Sequence, residues 1–341
     1  MEDRVINNRM DDISLIRVLC ILTVVFFHCY GMMFYESFFP ATIERYRALY
    51  WNLNQYVLIN IAMPMFVFIS GYLFKFLLGI GKYPTWGNLL KKKGLRIILP
   101  YFVFGIFFMI VTNDLDWATL FKGLYWHLCF LPMLFWNFIV GYSLNRLLKN
   151  KAGMCKILVL LILYIGTWFP RFLPNLFGSY YISKYFFWFY GGMFLYEYMD
   201  VIYEKIKRYK LYIPFISVYL LSIIIHPAVY GDHTNNWLNT LGILSVVVSI
   251  CYFLRDARIY DNKIMKGIVS LSKYSFGIYI FHNWIAVVLI SSTTRRLLNL
   301  AVLAEEHVIL FPFTFTILTI AISWGISWAM MKTKVGKFLI G

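Results

Sequence analysis

Arg17 and His28 stand eleven residues apart inside an apolar stretch that runs from Ile13 to Met33. At 100° per residue that separation returns both side chains to within ~20° of one helical face, about 16 Å apart along the axis. One face therefore carries a fixed cation at one depth and a titratable base at another, a pair able to hold an anion and to exchange a proton. Ionisable groups in a spanning helix are expensive, point into a bundle interior or wet cavity, and mark function.

Further polar residues interrupt the apolar runs. Asn60, Ser70 and Lys75 follow one another through the second stretch, with Pro64 between them removing a backbone donor and predicting a kink. Taken singly, Asn60 and Ser70 also read as helix-to-helix glue. Lys93 and Arg96, three apart at a helix start, would share a face and grip one phosphorylated ligand together. The same basic run equally suits a cytoplasmic loop facing anionic headgroups. His127, in Tyr125-Trp126-His127-Leu128-Cys129-Phe130-Leu131, falls at an interface among belt aromatics. His282 and Asn283 fall near the middle of the ninth stretch, where a histidine should point inward. His226, His233 and His307 lie at helix ends or in loops and are given no role.

Absent patterns narrow the chemistry. No pair of histidines four apart brackets a carboxylate, and the five cysteines form no CxxC pair, so neither a metal site nor a disulfide framework is expected. No GxxxxGK[ST] loop is present, which argues against an ATP-driven pump. No Asp or Glu occupies the middle of a predicted span, which argues against a carboxylate proton relay.

The elements that must hold these residues are membrane helices. Hydrophobic residues make up 61% of the 341 and charged residues only 14%, and apolar runs recur at bilayer-crossing lengths. The fold class is all-α, a polytopic transmembrane helix bundle of about ten spans at 13–34, 55–79, 95–113, 125–145, 155–170, 183–199, 211–227, 236–254, 270–290 and 308–331. With an inside N-terminus, roughly 24 of the 32 Lys and Arg fall on the inner side, about 7 outside and Arg17 within the membrane. This bias places both termini in the cytoplasm and explains the net charge of +16 without nucleic acid. The first stretch follows Glu2, Asp3, Asp11 and Asp12 and lacks a small-residue cleavage site, so it reads as a retained span. The expectation is one integral membrane domain over residues 1–341, with no fused soluble domain and with membrane lipid as a partner.

The Arg17/His28 spacing, Pro64-Met65-Phe66-Val67-Phe68-Ile69-Ser70-Gly71-Tyr72-Leu73, Lys93-x-x-Arg96 with Pro100-Tyr101, His127-Leu128-Cys129-Phe130-Leu131 and Ser275-Phe276-Gly277-Ile278-Tyr279-Ile280-Phe281-His282 occur in the order that resembles the acyltransferase-3 family. This chain has Ser14 where many members carry an acid, Lys93 where the basic motif usually begins with Arg, and Cys129 where Trp is common. The resemblance implies a bacterial inner-membrane enzyme of about ten helices that moves an acyl group, usually acetyl from cytoplasmic acetyl-CoA, to a hydroxyl of an extracytoplasmic or lipid-linked glycan. Under it, Arg17, Lys93 and Arg96 would bind the acyl-CoA, and His28 would act as general base or transient acyl carrier. Asn60 would orient the imidazole or steady the oxyanion, and His127, His282 and Ser70 would contact substrate. The competing expectations are a transporter or flippase for a lipid-linked glycan, lined by the same groups, and a non-catalytic scaffold.

Overall fold

The computed structural model describes residues 2–35, 42–168, 173–229, 237–255, 262–291 and 299–341; His233 lies outside them. Among the described residues every regular element is helical. In chain order these are α1 (Glu2–Met32), α2 (Ile43–Asn52), α3 (Ile59–Gly79), α4 (Trp86–Lys93), α5 (Leu99–Thr112), α6 (Trp117–Phe121), α7 (Phe130–Leu148) and α8 (Gly153–Gly166). There follow α9 (Ile182–Tyr209), α10 (Tyr212–Val229), α11 (Trp237–Phe253), α12 (Lys263–Ser270), α13 (Ser275–Ile290), α14 (Leu300–Glu306), α15 (Phe311–Met331) and α16 (Lys334–Ile340). Two π-helical segments, Leu53–Leu58 and Gly94–Ile98, lead into α3 and α5. The chain divides into two compact units, Met1–Met63 with Leu254–Gly341, and Pro64–Phe253.

In the first unit α1 packs against both α13 and α15, which also pack on each other. Small residues allow this approach. Thr316, Thr319, Ser323 and Ser327 form a fully buried stripe along α15, and each hydroxyl donates to the carbonyl four residues back. Their polar atoms are thereby satisfied inside the helix, and their short side chains leave room for neighbours. Gly277 of α13 sits so close to Ser327 that a methyl there would overlap its hydroxyl. Tyr46 and Tyr50 of α2 donate to the carbonyls of Ala304 (3.1 Å) and Ile309 (2.6 Å), tying α2 to the segment around α14.

In the second unit α3 and α9 meet backbone to backbone. A Cβ at Gly71 would overlap the Phe189 carbonyl, and one at Gly192 would overlap that of Phe68. Around this crossing Phe74, Phe138 and Phe189 pack edge to face or tilted, with centroids 4.9 to 5.7 Å apart. Further along α9, near its middle, Glu197 accepts from Lys156 and pairs with Lys75 at 2.8 Å, while Lys75 also donates to Asn145 at 2.7 Å. One carboxylate thus joins α3, α8 and α9, and α7 is drawn in through the amide.

Among the described residues, six segments are long and apolar enough to cross a membrane: Asp12–Met32, Ile43–Gly79, Trp86–Thr112, Trp117–Leu148, Lys263–Ile290 and Phe311–Met331. Three more apolar helices, Gly153–Gly166, Tyr212–Ile224 and Leu238–Phe253, are shorter. At ~1.5 Å per residue they fall short of the ~30 Å hydrocarbon core. The sixth predicted span, 183–199, lies within α9, whose second half carries Glu197, Asp200, Glu204, Lys205, Lys207 and Arg208.

Candidate functional site

In the first unit, α1 brings His28 against His282 of α13, with ring centroids 5.1 Å apart and planes tilted by 51°. His282 is fully buried and its Nδ1 lies 2.7 Å from the carbonyl of Tyr279 and 3.2 Å from that of Ile278. A carbonyl only accepts, so Nδ1 carries the proton and Nε2 holds the lone pair of the neutral ring. Two imidazoles 254 positions apart in the chain are therefore held together in the interior of one unit.

The neighbouring residues of α1 show how this face is set. Phe26 and Tyr30 pack on Phe313 of α15, with centroids 6.3 and 5.7 Å apart. Cys29, fully buried, lies within hydrogen-bond reach of Thr316 and Thr319, whose own protons are already donated along α15. With Phe26, Cys29 and Tyr30 committed to α15, the face bearing His28 is turned to α13. Arg17 lies half-buried three turns earlier on α1, and Asn60 is buried in the first turn of α3.

The other predicted site residues belong to the second unit. Ser70 donates its hydroxyl proton to the Phe66 carbonyl at 2.8 Å, the behaviour of a self-satisfied helix serine. His127 is buried on the tight turn Trp126–Cys129, its ring 6.3 Å from that of Phe108. Trp126 beside it has φ of +44°, an unusual conformation for a bulky residue, and stacks on Tyr125 with centroids 5.5 Å apart.

Lys93 and Arg96, expected on one helical face, stand in different surroundings. That expectation assumes a regular α-helix, whereas Gly94–Ile98 is π-helical and its wider turn changes the phase. Lys93 Nζ lies 3.3 Å from the centroid of the Phe138 ring, 5.4 Å from that of Tyr83 and 5.7 Å from that of Phe74. Arg96 is exposed. The Lys93 ammonium is held by an aromatic cage, whereas Arg96 is open to the surroundings.

Sequence reasoning did not single out Glu197, the small-residue stripe of α15, or Asn54. Glu197 stands near the end of a span, where carboxylates attract no notice. The Thr/Ser periodicity of 316, 319, 323 and 327 is a readable helical stripe, and Asn54 carries no motif at all. An apolar cavity of about 750 Å³ in the second unit, walled by α7, α8 and α9 near Leu144, Leu163 and Phe187, offers no ionisable side chain.

The acyltransferase domain model of the acyltransferase-3 family matches residues 10–328. No curated protein and no solved structure matches the chain. The matched stretch takes in the facing histidines, all of the second unit and most of the first, and over that length this chain belongs to the acyltransferase-3 family of membrane acyltransferases.

Proposed function

We propose that the protein is an O-acyltransferase that moves acetyl from cytoplasmic acetyl-CoA to a hydroxyl of an extracytoplasmic or lipid-linked glycan. The observation that carries this reading is the buried meeting of His28 with His282 on adjacent helices. A sugar hydroxyl is a weak nucleophile at neutral pH, and a positioned imidazole is the side chain best suited to activate it. His28 takes the hydroxyl proton as the oxygen attacks the thioester carbonyl. The C–S bond then breaks, and the imidazolium returns the proton to the departing CoA sulfur. In the covalent variant, His28 nitrogen attacks the thioester carbonyl and the C–S bond breaks to release CoA thiolate. The sugar oxygen then attacks the acyl-imidazole, the C–N bond breaks, and the hydroxyl proton passes to the thiolate, leaving neutral His28. His282, its Nδ1 proton engaged by Tyr279, contributes a lone pair to substrate contact or proton handling.

The remaining assignments rest on residue type and family. Arg17 and Arg96 supply donors for the phosphates of the acyl-CoA. Asn60 orients the imidazole or steadies the oxyanion, and His127 and Ser70 contact the acceptor. Lys93 is reassigned to holding the end of α4 through its aromatic cage. The reading includes about ten spans with both termini inside and a bacterial inner-membrane location.

The test is transfer of radiolabelled acetyl from acetyl-CoA in membranes. His28→Ala should lower transfer by about a hundred-fold or more, the usual scale for losing a general base, while the inserted amount stays unchanged. Normal transfer by a correctly inserted His28→Ala protein would overturn the assignment. Movement of an unmodified saccharide with no labelled product would support a flippase instead.

A further inference from the structure

Asn54 sits in the π-helical segment Leu53–Leu58, where the Ile59 N–H donates to the Asn54 backbone oxygen five residues back. π-Turns of this kind recur at functional sites because they push one residue out of register with its helix. The Asn54 side chain is fully buried, and among the described residues no group hydrogen-bonds either its Oδ1 or its Nδ2. Tyr30, 1% exposed, likewise has a hydroxyl with no hydrogen-bond partner among the described residues. Buried polar groups are nearly always paired, and an unpaired one calls for an explanation such as an absent ligand or water.

These groups lie in one neighbourhood of the first unit. Asn54 Nδ2 is 3.7 Å from where a Cβ on Gly31 would stand, and Gly31 is one turn along α1 from His28. Tyr30 packs on Tyr50 and Phe313, with centroids 5.1 and 5.7 Å away, and Tyr50 lies one turn before Asn54. The result is an aromatic wall, a carboxamide and a phenol near the proposed base. A carboxamide presents a donor and an acceptor side by side, the pattern that two neighbouring hydroxyls of a sugar ring match, while the C–H face of the same ring suits an aromatic wall.

We infer that Asn54 and Tyr30 form an acceptor subsite beside His28 that binds two neighbouring hydroxyls of the sugar. This deepens the glycan O-acetylation reading and rests on it. Both residues act by binding and are not chemical participants.

Purified protein in proteoliposomes, given radiolabelled acetyl-CoA and the lipid-linked saccharide fraction extracted from the host cells, supplies the test. Asn54→Leu, which keeps the volume and removes the polar atoms, should raise the acceptor KM by about ten-fold or more. Its melting temperature should equal or exceed that of the wild type, and kcat at saturating acceptor, the acetyl-CoA KM and acceptor-independent CoA release should hold. Tyr30→Phe, a gentler change that removes one oxygen, should raise the same KM by a few-fold and decides the matter if the leucine variant does not fold. An unchanged acceptor KM in a folded variant, or equal losses in acceptor-independent CoA release, would overturn the inference in favour of ordered water or a structural amide. Wild-type protein that transfers no label removes the O-acetylation reading and the subsite with it, whereas normal transfer with unaltered variants removes the subsite alone.

Discussion

At Lys93 a charge that sequence spacing assigns to a phosphate is instead surrounded by three rings. A cation over aromatic faces gains ~0.5–2 kcal/mol or more as it is desolvated, so leaving that cage for a ligand carries a comparable penalty. Methionine fits the same space and makes favourable sulfur–ring contacts. Lys93→Met is therefore expected to melt within a few degrees of the wild type and leave the acetyl-CoA KM unchanged, while Arg96→Ala raises that KM several-fold. Donor titrations of the two variants measure this directly. An equal rise for both would mean that the ammonium leaves Phe138 for the donor. The same lesson applies at Ser70, whose proton is engaged by Phe66 within its own helix. Residue type was legible from the chain at both positions, but the partner was not.

Helix phase is the property of an element on which most site predictions depend. In α1 the pattern is regular, and the interior direction inferred for His28 agrees with its contact to His282. The π segment before α3 breaks that regularity with no Pro or Gly in it, while the one before α5 begins at Gly94 and runs up to Pro100, whose missing donor falls opposite Arg96. Phase carried across Leu53–Leu58 or Gly94–Ile98 by simple counting therefore drifts. Close helix crossings have a clearer local cause, a glycine against a backbone. Gly192→Ala puts a methyl into the Phe68 carbonyl, and overpacking of this sort costs about 1–3 kcal/mol or more. Gly325→Ala, with open space around its Cβ position, should match or exceed wild-type stability because alanine favours a helix by ~0.5–1 kcal/mol. Melting curves in detergent should separate the two, and an unshifted Gly192→Ala would show that the α3–α9 contact relaxes readily.

At the scale of the whole chain, the proposed topology makes opposite predictions for two loops. In a Cys155→Ser background, Asp114→Cys should react with a membrane-impermeant thiol reagent in intact cells, and Lys151→Cys only after permeabilisation. The reverse pattern would invert the orientation read from the basic loops. Membrane character, the order of the motifs and the family were readable from residues alone, because hydropathy is a local, additive property and motif order needs no folding. The tertiary structure decided which distant side chains meet: His28 with His282, Lys93 with Phe138, and Glu197 with Lys75 and Lys156. Each of those meetings depends on how one helix is rotated and offset against another, set by small residues and π-turns acting over many positions, and no single stretch of sequence contains that information.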